Sequence, residues 1–196
     1  MRAVFRRGAG RVVTDRPAIA GARALGAGLL VGAVVVVLDQ VVKWAVLAHV
    51  MQPPRVIEVA PFFNLVLAWN RGISFGMFGG GVMPVWALAA LALAIVAFLG
   101  VWLWRTGGWV VVVGIGSIIG GAVGNVIDRL RFGAVADFLD FHVMGHHWPA
   151  FNVADTAISV GAAILVLESL FAGRERPKNG EDAPSGASDS DERTER

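Results

Sequence analysis

Four aspartates, Asp128, Asp137, Asp140 and Asp155, fall within the stretch Gly120–Asp155, and Asp39 joins them from far upstream. Apolar runs flank the stretch on both sides, so these carboxylates belong where a membrane helix meets water. An ionisable group in such a place is costly and is by default functional. Asp137 and Asp155 are the pair with chemistry in prospect. Two carboxylates sharing one site cannot both ionise easily, so one keeps its proton while the other is charged. An aspartic hydrolase requires that arrangement: the ionised group takes a proton from water, and the neutral one donates to the scissile carbonyl oxygen. The same spacing is equally compatible with aspartates that cap helices or pair with arginines.

Other residues could support such a pair. Asn125 and Asn152 each precede an aspartate by three, in NVID and NVAD, at an expected membrane edge. An asparagine there either satisfies the backbone where a helix ends or holds a carboxylate. Arg129, next to Asp128, is expected to form a structural ion pair that ties the loop down rather than to act in catalysis, because a cation beside the dyad would lower its pKa. Asp39 and Lys43 are four apart, on one helix face, and can neutralise each other near the end of the first span. His142, His146 and His147 with Asp140 raise the question of a metal. Their spacing matches no ligand pattern on one helix face, and Gly145 and Pro149 mark a loop, so no metal is expected.

The elements that must position these groups are membrane helices. The 196 residues are 56% hydrophobic and 16% charged, with a mean hydropathy of +0.64; a soluble domain carries about 25% charged residues. There is no cysteine, which excludes disulfides, thiolate nucleophiles and lipid attachment through a cysteine of its own. Residues 1–20 read as a basic cytoplasmic arm. A first span covers about 24–49, in preference to a cleaved signal peptide, because no small-x-small site follows and the apolar pattern resumes after Lys43. Pro53 and Pro54 end it. Arg55–Phe78 alternates loosely, with Gly72 and Gly76, and reads as short strands at the outer membrane surface. Further spans are expected at 82–104, 109–127 and 151–171, with 129–149 as a second outer loop. Residues 173–196 read as a disordered cytoplasmic tail. The expected fold is an all-α integral membrane protein of four transmembrane helices with a small outward-facing β-rich loop region.

Gly116, Gly120 and Gly124 recur every four residues on the third span, with Gly121 beside them. Small residues at that spacing let helix backbones approach closely, and packing of the third and fourth spans through this face would bring Asp137 and Asp155 together. Orientation follows from basic residues. Arg2, Arg6, Arg7, Arg11, Arg16 and Arg23, then Arg105 and the 174–178 cluster, fall on one side, which should be cytoplasmic. Arg55, Arg71, Arg129 and Arg131 are the smaller set on the other. The basic arm sets membrane orientation on this reading, and no nucleic-acid partner is expected. The seven tryptophans, Trp44, Trp69, Trp86, Trp102, Trp104, Trp109 and Trp148, lie mostly near span ends, as an interfacial belt would.

Taken together, DQVVK (Asp39–Lys43), FNLVLAWNRGISFGMF (Phe63–Phe78), GNVIDR (Gly124–Arg129), VADF (Val135–Phe138) and FNVAD (Phe151–Asp155) resemble the lipoprotein signal peptidase, or signal peptidase II, family. The resemblance runs from about Leu38 to Ala157 and leaves out the arm and the tail. It implies an intramembrane aspartic endopeptidase of the bacterial inner membrane, with its active site toward the outer face and both termini cytoplasmic. Such an enzyme removes the signal peptide from diacylglyceryl-modified prolipoproteins by cutting just before the lipidated Cys. By motif, Asp137 and Asp155 carry over as the catalytic pair. Asp39, Lys43, Asn70, Asn125, Asp128, Arg129, Asn152 and Ala154 carry over as supporting or substrate-binding positions. No metal or organic cofactor is implied; the partners are prolipoprotein substrates and membrane lipid, and a monomer is expected. The alternatives are a small proton-coupled transporter, which would place carboxylates nearer the bilayer midplane, and a non-catalytic scaffold, which leaves the paired aspartates without a role.

Overall fold

The computed structural model describes residues 21–72 and 84–172. The expected arm over 1–20, the end of the 55–78 segment with Gly76, the first residues of the 82–104 span and the expected tail over 173–196 lie outside the described residues.

Long runs of Ala, Val, Leu, Ile and Gly, interrupted by few charges, make four helices. Helix α1 is Gly21–Ala45, continued by a π-helical turn, Val46–Val50. Helices α2 (Val85–Arg105), α3 (Trp109–Phe132) and α4 (Val153–Ala172) follow. All four are long and apolar enough to cross a membrane; even α4, at about 1.5 Å per residue, matches a hydrocarbon core of about 30 Å. All seven tryptophans are exposed.

Helix α3 is the hub and packs against the other three. Its glycines serve two different neighbours. A Cβ on Gly116 would lie 2.6 Å from the Gly28 carbonyl oxygen, and one on Gly120 would lie 2.5 Å from that of Gly32. Gly116 and Gly120 of the four-residue row therefore meet glycines of α1, whereas Gly124 meets Asp39 of α1 and Ala154 of α4, so the glycine face serves both helices rather than α4 alone. Closer contact with α4 falls to Gly114 and Gly121: a Cβ on Gly161 of α4 would lie 2.6 Å from the Gly114 carbonyl oxygen, and one on Gly121 would run into that of Ala154. Close backbone approach on both faces explains why so small a bundle buries so many polar groups.

Helix α3 also runs past the expected end at 127. Arg129 and Arg131 occupy its last turn, where cations favour the helix C-terminus. Gly133, at φ 70°, closes it, its N–H donating to the Arg129 carbonyl at 3.0 Å. Asp128 and Arg129 are thus helical, and the expected second outer loop instead holds one of the two inner strands of a sheet. The sheet is antiparallel in the order β1 (Ile57–Ala60), β2 (Phe63–Asn70), β3 (Val135–Val143), β4 (His146–His147). The strands expected after Arg55 are therefore present up to Asn70. Val46, Met51 and Phe138 are buried together, with Leu65, Leu67 and Val153 packed against them. This cluster fixes the sheet against the end of α1 and the start of α4.

Candidate active site

The site forms where β3, the end of α3 and the start of α4 meet the last turns of α1. Asp137 lies on β3, opposite Ala68 of β2, and is 2% exposed. Asp155 lies in the first turn of α4. Asn152, immediately before that helix, joins the two. Its Oδ1 accepts the Asp155 backbone N–H at 3.0 Å, while the Asp155 carboxylate accepts the Asn152 backbone N–H at 3.3 Å. This reciprocal pair is a capping box, which satisfies donors the helix start would otherwise leave orphaned. The remaining side-chain group, Nδ2, donates to Asp137 Oδ1 at 2.7 Å. Both sequence readings of Asn152 hold at once: it caps the helix, and in doing so it is aimed at a carboxylate.

Asn125 does the corresponding work from α3. Its Nδ2 donates to Asp155 Oδ1 at 2.7 Å, and its Oδ1 accepts Lys43 Nζ and Asn152 Nδ2, both at 3.3 Å. Lys43 also lies 2.9 Å from Asp39 and 2.8 Å from Asp128, all three buried. The ion pair expected of Asp39 with Lys43 is therefore present. Asp128, however, pairs with Lys43 rather than with Arg129, because neighbours in a helix point about 100° apart while residues on facing helices can meet. Arg129 instead donates from Nη1 to the Asn125 carbonyl at 3.4 Å. A buried cluster of two carboxylates and one ammonium is tolerable only if its remaining acceptors are satisfied. They are: Asp39 Oδ1 accepts the Ala154 backbone N–H at 2.9 Å, and Asp128 accepts that of Ala136 at 3.2 Å.

Gln40 was missed as a site residue in the sequence. Its Nε2 donates to Asp39 at 3.1 Å, to Asp128 at 3.0 Å and to the Gly124 carbonyl at 3.3 Å. The available signal was an amide side chain inside an apolar span, where such a group needs an internal partner. Ala154 is fully buried, and its Cβ would lie 3.5 Å from one built on Gly124, so it is a packing position on which the α3–α4 approach depends.

Burial, and after it the charge of Asp155, push the Asp137 carboxyl up from 3.8 to about 6; hydrogen bonds from Asn70 and Asn152 and the charge of Lys43 pull it partway back. Asn70 is exposed, near the end of β2. Asp140 lies three residues along β3 from Asp137, hence on the other face of the strand. There Asn64 Nδ2 donates to it at 3.1 Å and His147 Nδ1 lies 2.9 Å away. The His147 contact holds the Asp140 carboxyl below its ordinary value. His142 stacks on His147 with ring centroids 4.8 Å apart. Among the described residues no three His, Asp or Glu side chains converge as metal ligands would.

A family model described as signal peptidase (SPase) II matches residues 31–171. A lipoprotein signal peptidase of Rhodopseudomonas palustris is 47% identical over 151 residues, covering 74% of this chain and 92% of that protein. One from a Methylobacterium species is 42% identical over 151 residues, covering 76% and 92%. The structure is similar to a bacterial membrane enzyme solved by the in meso method at 2.3 Å resolution, with a TM-score of 0.65 and 28% identity over 81% of this chain and 95% of that one.

Proposed function

The chain belongs to the signal peptidase II family, and from that premise we propose that it is an aspartic endopeptidase acting on diacylglyceryl-modified prolipoproteins, with Asp137 and Asp155 as its catalytic dyad. One carboxylate takes a proton from water as the water oxygen attacks the scissile carbonyl carbon. The other, protonated, donates to the carbonyl oxygen. As the tetrahedral gem-diol collapses, the second carboxylate takes back one hydroxyl proton and the first carboxyl gives its proton to the leaving amine. The chain is cut just before the lipidated Cys, with the dyad restored.

The observation that carries this reading is the bridge made by Asn152, bonded to Asp137 through its side chain and to Asp155 through its capping box. A carboxyl pushed up to about 6 beside a second carboxylate supports it, since such a pair can supply acid and base near neutral pH. Asp39, Lys43, Gln40, Asp128, Asn125 and Asn152 position the pair; Arg129 and Asn70 lie at its rim and take the substrate. The sheet and dyad face outward from the bacterial inner membrane and both termini are cytoplasmic, a reading supported by Arg23 and Arg105 at the helix ends far from the sheet. Strands β1 and β2 cradle the lipid-modified end of the substrate, with Val56, Val59 and Phe62 exposed. The enzyme works as a monomer and without a metal.

The test is cleavage of a diacylglyceryl-modified prolipoprotein by the purified chain, beside Asp137→Asn and Asp155→Asn. Asn keeps the shape and removes the titrating group. The parent should cut before the lipidated Cys, and each variant should stay folded and lose activity by about 10²-fold or more. Cleavage by both variants at the parent's rate would make the aspartates structural.

A further inference from the structure

We propose that Lys43 assigns the two roles in the dyad: acting through the Asn125 side chain, it makes Asp155 the carboxylate that takes the proton from water and leaves the resting proton on Asp137. The inference rests on the dyad reading above and concerns which member does what.

A lysine ammonium has three donors and no acceptor. The Asn125 atom facing Lys43 Nζ at 3.3 Å must therefore be Oδ1, and the amide NH2 is turned to the opposite side. There it meets Asp155 Oδ1 at 2.7 Å. A proton on that oxygen would set donor against donor. The other Asp155 oxygen faces a further donor, the Asn152 backbone N–H at 3.3 Å, and the carboxylate sits at the start of α4, where the helix macrodipole favours negative charge.

Lys43 decides this orientation because the competing control is diluted. Asn152 Nδ2 has two hydrogens and three acceptors within reach: Asp137 Oδ1 at 2.7 Å, Ala136 O at 3.3 Å and Asn125 Oδ1 at 3.3 Å. Its hold on Asn125 is therefore shared. Without Lys43, Asn125 is free to rotate half a turn and offer Oδ1 to Asp155, an arrangement that requires Asp155 to carry the proton. Asp137, by contrast, lies on a strand, with no helix start aimed at it, and its carboxyl is already pushed up by burial. The charged groups packed around the pair are Lys43 and Asp39 on α1, Asp128 and Arg129 on α3 and Asp155 on α4, with Asp140 further along β3. Of these, Lys43 alone is both cationic and bonded to a side-chain amide that touches the dyad; Arg129 reaches only the backbone carbonyl of the same residue. Lys43 is a positioning residue on this account, since it is buried and acts on the dyad through the Asn125 side chain.

The full chain, purified in detergent, allows a direct test by infrared spectroscopy of the C=O stretch of a protonated carboxyl at about pH 5. The signal should survive Asp155→Asn and vanish in Asp137→Asn. In Lys43→Met combined with Asp128→Asn, which keeps the cluster's net charge, and in Asn125→Leu, the proton should pass to Asp155. Adding Asp137→Asn to either background should then no longer abolish the signal. Turnover in both backgrounds should fall about tenfold or more, with KM within about twofold. Lys43→Arg, also donor-only, should keep the proton where the parent has it. A signal that vanishes in Asp155→Asn and survives in Asp137→Asn overturns the assignment. A proton that stays on Asp137 in both folded backgrounds removes Lys43 from the account. Either result leaves the dyad reading intact if both single Asp→Asn variants are inactive; retained cleavage by those variants sinks the dyad reading itself.

Discussion

Asp39, on the first helix, accepts the backbone N–H of Ala154, in the first turn of the fourth, at 2.9 Å. More than one hundred positions separate them in sequence, yet a carboxylate from one span caps another. The same carboxylate lies 2.9 Å from Lys43. Removing it strips an amide of its acceptor and leaves a buried ammonium with one fewer counter-charge. Asp39→Ala should therefore destabilise the folded chain by about 3–5 kcal/mol, read as an earlier thermal unfolding in detergent. Melting within a degree or two of the parent would mean that this cluster contributes little to holding the bundle together.

Asp137 should trade stability for chemistry. The unfolded chain titrates this carboxyl near 3.8 and the folded chain near 6, so between those values the folded state holds a proton the unfolded state has released. Stability from this group therefore falls as pH rises through that window, and above it the folded state carries a charge it disfavours. Asp137→Asn, still able to accept from Asn152, should be more stable than the parent at about pH 8, by up to about 3 kcal/mol. The gain should fade toward about pH 4. Unfolding of parent and variant across this range decides the matter, and a gain that grew on acidification would reverse the sign argued here.

The glycines offer a matched comparison. A Cβ on Gly120 would lie 2.5 Å from the Gly32 carbonyl oxygen and 2.7 Å from Val35 Cβ, whereas one on Gly26 meets nothing within 4 Å. Gly120→Ala should force α1 and α3 apart at a cost of about 1–3 kcal/mol. It should also lower turnover, because Lys43 and Asn125 face each other across that interface. Gly26→Ala should leave both stability and turnover near those of the parent. Equal behaviour of the two variants in unfolding and cleavage assays would count against close backbone approach as the organising contact.

His147 lies on the sheet face away from the dyad, paired with Asp140 at 2.9 Å. Because the contact holds the Asp140 carboxyl low, its contribution is present above the ordinary carboxylate range and is lost as pH falls below it. His147→Ala should loosen the β3–β4 hairpin, seen as faster amide exchange there at neutral pH, with cleavage close to the parent's. A large loss of turnover would tie the hairpin to catalysis in a way this geometry does not.

Much of this was legible in the sequence. The four spans were marked by charge-free runs, and the aspartates and asparagines by their being polar at the edges of those runs. The strands after Arg55 were marked by alternation. Three features were not. Asp128 was assigned to Arg129 because sequence adjacency shows possible partners only within one helix, whereas Lys43 reaches Asp128 from another. The row of glycines showed that α3 packs closely on something, but a four-residue period does not say on what; Gly28 and Gly32 on α1 carried that information. The end of α3 was placed early because Asp128 and Arg129 were read as the start of a loop. Gly133, in the left-handed region, was the better stop signal.

The capping box at Asn152 and Asp155 has a consequence for biosynthesis. The proposed dyad has one member on β3 and the other in the opening turn of α4, which leaves the ribosome after the three helices before it. Until that helix is in place, Asp137 lacks both its partner and the amide that aims it, however well the earlier three helices have inserted. On the proposed dyad, a nascent chain without α4 is inert, and integration of that helix is the event that switches it on.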